Sequence, residues 1–311
     1  MTTALITHPD CLNHVTPPGH PERAARLEYV LRALEGPEFR GLERIEAPLA
    51  ADDDLLRVHP ERYVASVRDA APESGWTSLD ADTHLSPGSV TAALRAAGAT
   101  IRAVDAVLAG EVRNAFAAVR PPGHHAERET AMGFCLFGSI SAAARHALDH
   151  HGLSRVAIVD FDVHHGNGTQ DLLGQDRRVF FASIHQMPLY PGTGARHETG
   201  MDNTVLNVPL PPGAGRDAFR QAMEVQILPT VEAFEPEMLF ISAGFDAHRA
   251  DPLAHLELDE EDFAWATERI CALADLHAEG RVVSTLEGGY ALEALATSVA
   301  AHIRVLMEQG E

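Results

Sequence analysis

The chain has 311 residues, of which 45% are hydrophobic, and a formal net charge of −21 at pH 7. This length and composition allow a large buried core, whereas the acidic charge excludes nucleic-acid binding through a general basic surface and is compatible with cationic substrates. No run reaches the roughly 18 uninterrupted apolar residues that a membrane helix needs, so we expect no membrane partner.

The cysteine pattern and the N-terminus both bear on the compartment. Three cysteines, Cys11, Cys135 and Cys271, are widely spaced, and none belongs to a CxxC motif. An odd, scattered set is typical of reduced thiols rather than of a disulfide framework. The first residues, MTTALITHPD, lack the basic start and the long apolar stretch of a signal peptide. We therefore expect a cytoplasmic protein.

Short apolar runs alternate with amphipathic stretches along the chain. This alternation predicts an α/β fold with one mostly parallel sheet covered by helices on both faces, and because no linker or repeat interrupts it we expect a single domain over residues 1–311. The predicted strands are Ala4–Thr7, Glu43–Ala47, Ala115–Val119, Val156–Phe161, Val179–Ile184, Thr204–Val208, Met238–Ser242 and Val282–Leu286. The predicted helices are Glu22–Leu34, Pro87–Ala109, Ser139–His150, Arg216–Phe234, Glu260–Ala278 and Ala291–Met307.

Polar, chemically reactive residues follow five of these strands. The five loops contain the stretches RPPGHHA, DFDVHHGNG, HQMPLYPGTG, AGFDAHRADP and EGGY. Because α/β sheets place their sites at the carboxyl ends of the strands, these loops predict one common site.

The loop after the fourth strand has the spacing of metal ligands. Alternate residues of a strand share a face, so Asp162 and His164 can converge on one point, and Asp246 is the best candidate for a third ligand. Two carboxylates and one imidazole balance a divalent cation, and three protein ligands leave the open position of a catalytic zinc site. The alternative is that an aspartate before Gly-Asn-Gly caps a helix. The neighbouring polar loops favour the metal site.

The RPPGHHA loop contains adjacent histidines, His124 and His125, in a stretch that the prolines stiffen. They are either solvated imidazoles or a pair that moves protons beside the metal. In the second case, Asp160 would hold one ring and Asn167 the other, one ring taking a proton from water and one giving a proton to the leaving amine. The sequence leaves the division of these roles open.

Tyr290 follows Gly288 and Gly289, so its loop can approach the predicted metal closely. Its phenol could donate a hydrogen bond to a carbonyl oxygen that becomes an oxyanion during attack by water. The alternative is a tyrosine that only packs after a turn. The metal site beside it favours the catalytic role.

These motifs together resemble the zinc-dependent histone deacetylase superfamily, which has the arginase–deacetylase fold. The stretches that carry the resemblance are RPPGHHA, GFC, VDFDVHHGNGTQ, YPGTG, SAGFDAHRADP and LEGGY, and the likeness extends from Gly19–Arg23 to about Tyr290. The chain is most similar to class II deacetylases and bacterial deacetylase-like amidohydrolases, because Asn167 stands where class I proteins carry aspartate.

The resemblance implies a role for each residue of the site. Asp162, His164 and Asp246 would bind Zn²⁺, although ligand type alone leaves Fe²⁺ open as the resident metal. Tyr290 would polarise the acetyl carbonyl, and a tyrosine here favours real activity because the weakly active class IIa branch has histidine. The tandem pair would be His124, supported by Asp160, and His125, which faces Asn167 and is the expected general base and acid.

The resemblance also implies a second ion and an apolar tunnel. Tyr190 stands where many relatives have phenylalanine, and Leu253 stands where one type of polyamine-selective relative has glutamate. Family members bind a structural K⁺, here expected at Asp160, Asp162, His164, Ser183 and Ile184, partly through main-chain oxygens. The expected tunnel residues are Gly133, Phe134, Tyr190, Leu253 as the gatekeeper, and Asp82 as the aspartate that anchors substrate at the rim.

The predicted function is metal-dependent hydrolysis of the acetyl amide of acetyl-lysine in proteins or peptides. One alternative is deacetylation of acetylpolyamines or of another small amide. A second is an arginase-type dinuclear ureohydrolase, which would need a second set of ligands. A third is a non-catalytic binder of acyl-lysine, in which Tyr290 would be dispensable. The sequence leaves acyl-chain preference and oligomeric state open, with a homo-oligomer as one expectation.

Overall fold

The computed structural model describes residues 2–310, and within that range it contains ten β-strands and ten α-helices. The strands are β1 (Thr3–Thr7), β2 (Glu43–Glu46), β3 (Thr77–Ser78), β4 (His84–Leu85), β5 (Asn114–Ala117), β6 (Val156–Asp160), β7 (Val179–Gln186), β8 (Val205–Leu210), β9 (Leu239–Ala243) and β10 (Val282–Leu286). The helices are α1 (Ala25–Ala33), α2 (Asp52–Leu55), α3 (Glu61–Asp69), α4 (Ser89–Leu108), α5 (Ser139–Asp149), α6 (Asn167–Leu173), α7 (Arg216–Ala222), α8 (Leu228–Phe234), α9 (Glu260–His277) and α10 (Leu292–Gly310).

Eight strands form one parallel sheet in the order β2-β1-β5-β10-β9-β6-β7-β8. Strands β6, β9 and β10 are buried along their whole length, which explains their near-continuous apolar sequences. The edge strand β2, with the sequence ERIE, is short and mostly exposed, and its charges disfavour pairing with another sheet edge. The predicted parallel sheet is therefore confirmed.

The connection from β5 to β6 determines where the predicted site residues meet. The chain leaves β5, passes over the places that β10 and β9 fill later, and enters the sheet again at β6. The carboxyl ends of β5, β10, β9 and β6 consequently lie side by side. These are the ends that lead into the loops of His124, Tyr290, Asp246 and Asp162, and open α/β sheets bind ligands where the strand order reverses in this way.

Several helices differ from the sequence prediction. The single helix predicted over Arg216–Phe234 is interrupted by a π-helical segment at Met223–Ile227. Pro229 explains the interruption, because it cannot donate a backbone hydrogen bond and its ring disturbs the preceding turn. The sequence prediction also missed α3, together with α2, α6 and the β3–β4 hairpin, and these last three elements are too short for a clear period. Within residues 2–310, no helix combines the length and apolarity needed to span a membrane.

Candidate active site

Three potential metal ligands converge beyond the ends of β6 and β9. Asp162, His164 and Asp246 are buried, and each offers a ligand atom within 4.8 Å of the others. The Nδ1 atom of His164 lies 3.1 Å from both Asp162 Oδ1 and Asp246 Oδ2. Backbone amides hold the carboxylates in place, since Val163 N donates to Asp246 Oδ1 at 2.9 Å and His164 N donates to Asp162 Oδ1 at 2.9 Å. This donor set fits a divalent metal with an open coordination position.

Two glycines allow the carboxylates to approach so closely. A Cβ atom at Gly244 would lie 2.0 Å from Asp162 Oδ2, and one at Gly288 would lie 2.0 Å from Asp246 Oδ2. Gly288 also donates its amide to Asp162 Oδ2 at 2.7 Å. The backbones of Gly244 and of Gly288, in the LEGGY stretch, therefore lie directly against the two carboxylates. This close contact leaves room only for glycine at both positions.

The pKa shifts of His164 and Asp162 also indicate a site that stabilises positive charge. Burial alone would lower the pKa of His164, but hydrogen bonds to Asp162 and Asp246 outweigh it and raise that pKa to about 10. Burial likewise opposes ionisation of Asp162, yet His124 and His164 keep its pKa well below the usual range. The site thus attracts positive charge, which a bound divalent ion would supply in place of a proton.

The tandem histidines contact different partners. His124 Nδ1 lies 3.0 Å from Asp160 Oδ2, and His125 Nδ1 lies 2.7 Å from Asn167 Oδ1. Asn167 Nδ2 donates to Glu127 Oε1 at 2.8 Å, so its oxygen faces His125 and accepts a hydrogen bond from Nδ1. The Nε2 atom of a neutral His125 therefore carries the lone pair.

The two rings have opposite pKa shifts. Burial would lower the pKa of His124, but the carboxylates of Asp162 and Asp160 outweigh burial and raise it well above its usual range. Burial and the charge of His124 both lower the pKa of His125 well below its usual range. Burial raises the pKa of Asp160, although the charge of His124 and the hydrogen bond between the two side chains oppose this rise. The pair therefore combines one charged ring with one neutral ring.

Tyr290 lies beside the ligand group on the loop after β10. Gly289 precedes it with a φ of 122°, a conformation that favours glycine, and a Cβ atom there would lie 2.8 Å from a Leu295 methyl group. Asp251 Oδ2 fixes the loop by accepting the Tyr290 amide at 2.7 Å. Burial raises the pKa of the phenol well above its usual range, although the charge of Arg26 opposes this, so the hydroxyl keeps its proton.

A cavity of about 200 Å³ opens onto these groups. His125, His164 and Tyr290 line it, and the ring centroids of His125 and His164 are 5.8 Å apart. Gly133 has a φ of 55°, and a Cβ atom there would lie 2.4 Å from the His125 ring. The remaining lining residues are Asp82, Gly133, Phe134, Leu189, Tyr190 and Leu253, so all five predicted tunnel residues surround the same cavity.

The residues predicted for a potassium site also lie together. Asp160 on β6 pairs in register with Ser183 on β7, and Ile184 follows Ser183 directly. All three are buried, at the same end of the strands as Asp162 and His164.

Sequence reasoning missed a buried charge network behind Tyr290. Glu22 is fully buried and forms ion pairs with Arg26 and Arg120, the latter through both carboxylate oxygens. Arg26 donates to the main-chain oxygens of Gly289 and Glu287, and its guanidinium lies 4.8 Å from the centroid of the Tyr290 ring. Arg26 therefore holds the backbone of the Tyr290 loop in place through these two hydrogen bonds. Glu22 belongs to the GHPER stretch, but nothing in the sequence marks Arg26.

Two further carboxylates lie within motifs that the sequence did highlight. Glu287 Oε2 accepts the amides of Gly123 at 2.7 Å and His124 at 3.1 Å, and burial raises its pKa to about 7. Asp251 Oδ1 accepts the amide of Leu253 at 3.0 Å while its other oxygen accepts the Tyr290 amide. Both residues join loops that line the cavity, and only their three-dimensional contacts reveal this.

The sheet, the ligand group and the tandem histidines define the class of a metal-dependent amide hydrolase, and comparison with known proteins identifies the family. The family model for the histone deacetylase domain matches residues 20–306. The chain therefore belongs to the histone deacetylase family, has the arginase–deacetylase fold, and is a hydrolase acting on amides. The family is generally zinc-dependent and acts on acetylated substrates.

Individual relatives agree with this assignment. A probable deacetylase of Archaeoglobus fulgidus is 41% identical over 299 residues, covering 94% of this chain and 82% of that protein. A histone deacetylase-like amidohydrolase of Pseudomonas aeruginosa is 43% identical over 286 residues, covering 89% and 74%. The crystal structure of the HDA15 HD domain superimposes with a TM-score of 0.94 at 34% identity, covering 99% of this chain and 88% of that chain.

Proposed function

We propose that this protein is a zinc-dependent deacetylase that removes acetyl or related acyl groups from the ε-amine of acyl-lysine in proteins or peptides. The observation that carries the proposal is the apolar cavity that ends at His164, His125 and Tyr290, beside the ligands Asp162 and Asp246. An unbranched apolar chain that ends in an amide fits such a cavity, because the methylene groups of a lysine side chain can be buried against apolar walls.

Asp162, His164 and Asp246 would hold the metal ion. A zinc ion bound there would act as a Lewis acid towards the acyl carbonyl and would lower the pKa of a water molecule. The three ligand atoms form one compact group at the ends of β6 and β9, which supports a mononuclear centre. The arginase-type alternative would need a second set of ligands at this site.

His125 would move the proton. Its Nδ1 atom donates to Asn167, so Nε2 can accept a proton from the attacking water and later deliver it to the leaving amine. His124, held by Asp160, would keep its positive charge and stabilise the negative charge that develops during attack. The hydrogen bond to Asn167 therefore supports His125 as both base and acid.

Tyr290 would donate its hydroxyl to the carbonyl oxygen as that oxygen becomes an oxyanion. Phe134, Leu189, Tyr190 and Leu253 would pack around the substrate chain. Asp82, half-buried at the same cavity, would accept hydrogen bonds from the substrate backbone or from a cationic group. A neutral Leu253 favours a lysine peptide over a polyamine.

The test is hydrolysis of a fluorogenic acetyl-lysine peptide beside N-acetylputrescine and N-acetylspermidine, with zinc-loaded enzyme. Turnover of the peptide that is lost in Tyr290→Phe would support the lysine deacetylase. Turnover of the polyamines alone would replace it with small-amine deacetylation. A protein that binds the peptide but hydrolyses none of the three, at equal zinc content, would contradict the acetyl-amide assignment and favour a binding role.

The proposal also includes a potassium site, a cytoplasmic location, a single catalytic domain and a homo-oligomeric state. The K⁺ site would lie between β6 and β7, around Asp160, Ser183 and Ile184. The three cysteines are free and buried, which supports a reducing, cytoplasmic location. The single eight-stranded sheet supports one catalytic domain over residues 1–311. A homo-oligomer stays a prediction that measurement of the mass in solution would test.

A further inference from the structure

A second group of potential metal ligands lies outside the candidate active site, where α5 ends. His146, His150 and His151 each offer a ring nitrogen, and these nitrogens lie within 4.8 Å of one another. We call these three residues the histidine cluster. Asp105, in the last turn of α4, hydrogen-bonds to two of the three rings.

The histidine cluster lies near the N-terminal ends of the strands, whereas the candidate active site lies beyond their C-terminal ends. The chain leaves α5 at Asp149 and enters β6 at Val156, and the far end of β6 carries Asp160. The cluster is therefore next to the beginning of β6, whereas the proposed zinc ligands follow its end. It is a separate feature that the deacetylase chemistry leaves unused.

The helix geometry and the turn after it bring the three rings together. His146 lies in the last turn of α5 and His150, four residues later, caps that helix, so their rings stack with centroids 4.7 Å apart at 14°. The ring of His151 lies nearly perpendicular to both, with centroid distances of 5.1 and 5.0 Å. Gly152 follows with a φ of 75°, which turns the chain away.

Asp105 orients two of the rings. Its Oδ1 atom lies 2.8 Å from His146 Nε2 and 2.7 Å from His151 Nε2. An ionised carboxylate only accepts hydrogen bonds, so both rings carry a proton on Nε2 and present Nδ1 as a lone pair. A carboxylate that binds one nitrogen of an imidazole and leaves the other free is the usual support of a metal-binding histidine.

The Nδ1 atom of His146 is a second, independent observation that points to a ligand at the histidine cluster. It is buried, and within residues 2–310 it has no hydrogen-bond partner. The nearest carboxylate oxygen, Asp54 Oδ1, is 3.9 Å away and cannot donate a proton when ionised. Asp105 provides a hydrogen-bond partner for the Nε2 atoms of His146 and His151, but it leaves the buried Nδ1 atom of His146 without one among the described residues.

We propose that the histidine cluster binds one divalent transition-metal ion of the Zn²⁺, Ni²⁺ and Cu²⁺ class through His146, His150 and His151. Imidazole nitrogens favour these ions over Mg²⁺ and Ca²⁺, which prefer oxygen ligands. Asp54 is near enough to contribute a fourth ligand or to bind a coordinated water. Through Asp105, the bound ion would join the C-terminal ends of α4 and α5.

The test titrates protein that holds one equivalent of zinc, enough for the candidate active site alone, with Ni²⁺ in a calorimeter. We expect one Ni²⁺ site in the wild type, and an affinity at least about tenfold weaker in His150→Ala and in His151→Ala. His197→Ala, which removes an exposed histidine elsewhere, is the matched control and should bind like the wild type. Metal analysis after the titration should find the original zinc still bound.

Because His150 is exposed, its replacement should leave folding and amide hydrolysis unchanged. Ni²⁺ should raise the thermal midpoint of the wild type and not that of His150→Ala. A wild type that binds no Ni²⁺ beyond exchange of its zinc, or a Ni²⁺ affinity in both alanine variants equal to that of the wild type, would overturn the proposal. Loss of the deacetylase assignment would leave this result unaffected, because nickel binding is measured without turnover.

Discussion

Asn167 controls which nitrogen of His125 is free, so its replacement should change the pH dependence of hydrolysis. In the wild type, the amide oxygen of Asn167 accepts from His125 Nδ1 at 2.7 Å and adds no charge. Asn167→Asp keeps the shape and the acceptor but places a negative charge beside the ring. A carboxylate at hydrogen-bond distance favours the protonated imidazole, so the pKa of His125 should rise.

The size of the shift follows from the surroundings. A charge partner at this distance typically moves a pKa by about 1–3 units, and burial around His125 limits screening by solvent. Glu127 Oε1, which accepts from Asn167 Nδ2 at 2.8 Å, would repel the new carboxylate and reduce the effect. Asn167→Asp combined with Glu127→Gln should therefore show the larger shift.

The assay is kcat/KM for an acetyl-lysine peptide between about pH 5 and 9, at fixed zinc content. A base must be deprotonated in the free enzyme, so the rate falls about tenfold per pH unit below its pKa. Because the pKa of His125 is well below its usual range in the wild type, the acid limb should begin below neutrality. It should move towards neutral pH in Asn167→Asp, and Asn203→Asp on an exposed turn should leave it in place.

Two results would refute this reasoning. An acid limb that stays in place in both Asn167→Asp and the double variant would exclude His125 as the base. A limb that moves to lower pH would contradict the argument that the new carboxylate raises the pKa of the essential base.

Three other perturbations test separate parts of the site. Tyr290→Phe should lower kcat by about 10²- to 10³-fold with little change in KM, because it removes one donor to the oxyanion; steady-state kinetics on the peptide measures this. Gly288→Ala should abolish stoichiometric zinc binding, since its Cβ atom would lie 2.0 Å from Asp246 Oδ2; metal analysis after dialysis measures this. Glu22→Gln should cost about 3–5 kcal/mol of unfolding free energy, because it leaves Arg120 buried without its partner; urea denaturation measures this.

Matched controls separate these effects from general damage. Gly215→Ala meets its nearest neighbour at an ordinary 3.6 Å and should keep zinc. Glu129→Gln breaks an exposed ion pair with Arg62, and its stability should stay near that of the wild type. Zinc retained at the wild-type level in Gly288→Ala, or a Glu22→Gln stability equal to that of Glu129→Gln, would contradict the structural argument.

The sheet and the candidate site were predictable because both leave local signals. Strands β6, β9 and β10 are near-continuous apolar runs, since they are buried along their whole length. The polar residues after them stand out because titratable side chains are rare at the ends of buried strands. The cavity lining also agrees with the sequence, although Leu189 was missed, since a leucine in a loop carries no chemical signal.

Buried charge is what the sequence could not reveal. Glu22 and Arg26 are four residues apart, a spacing that is equally typical of a solvated ion pair on a helix surface. Only the fold brings Arg120 against them from a segment 98 residues away and turns an ordinary pair into a buried network. The same limit applies to the interrupted helix over Arg216–Phe234, where periodicity continues through a backbone that changes its hydrogen bonding.

The buried network and the Tyr290 loop form one continuous structure, and this links stability to chemistry. Arg26 binds the main-chain oxygens of Glu287 and Gly289, which flank Gly288, the glycine that lies against the carboxylates of Asp162 and Asp246. A displacement of Arg26 would therefore move Tyr290 and loosen Gly288 together. We infer that the chain tolerates a buried Glu22–Arg26 pair because it fixes the loop that lies against the candidate metal ligands and, in the proposed reaction, presents a hydroxyl to the substrate.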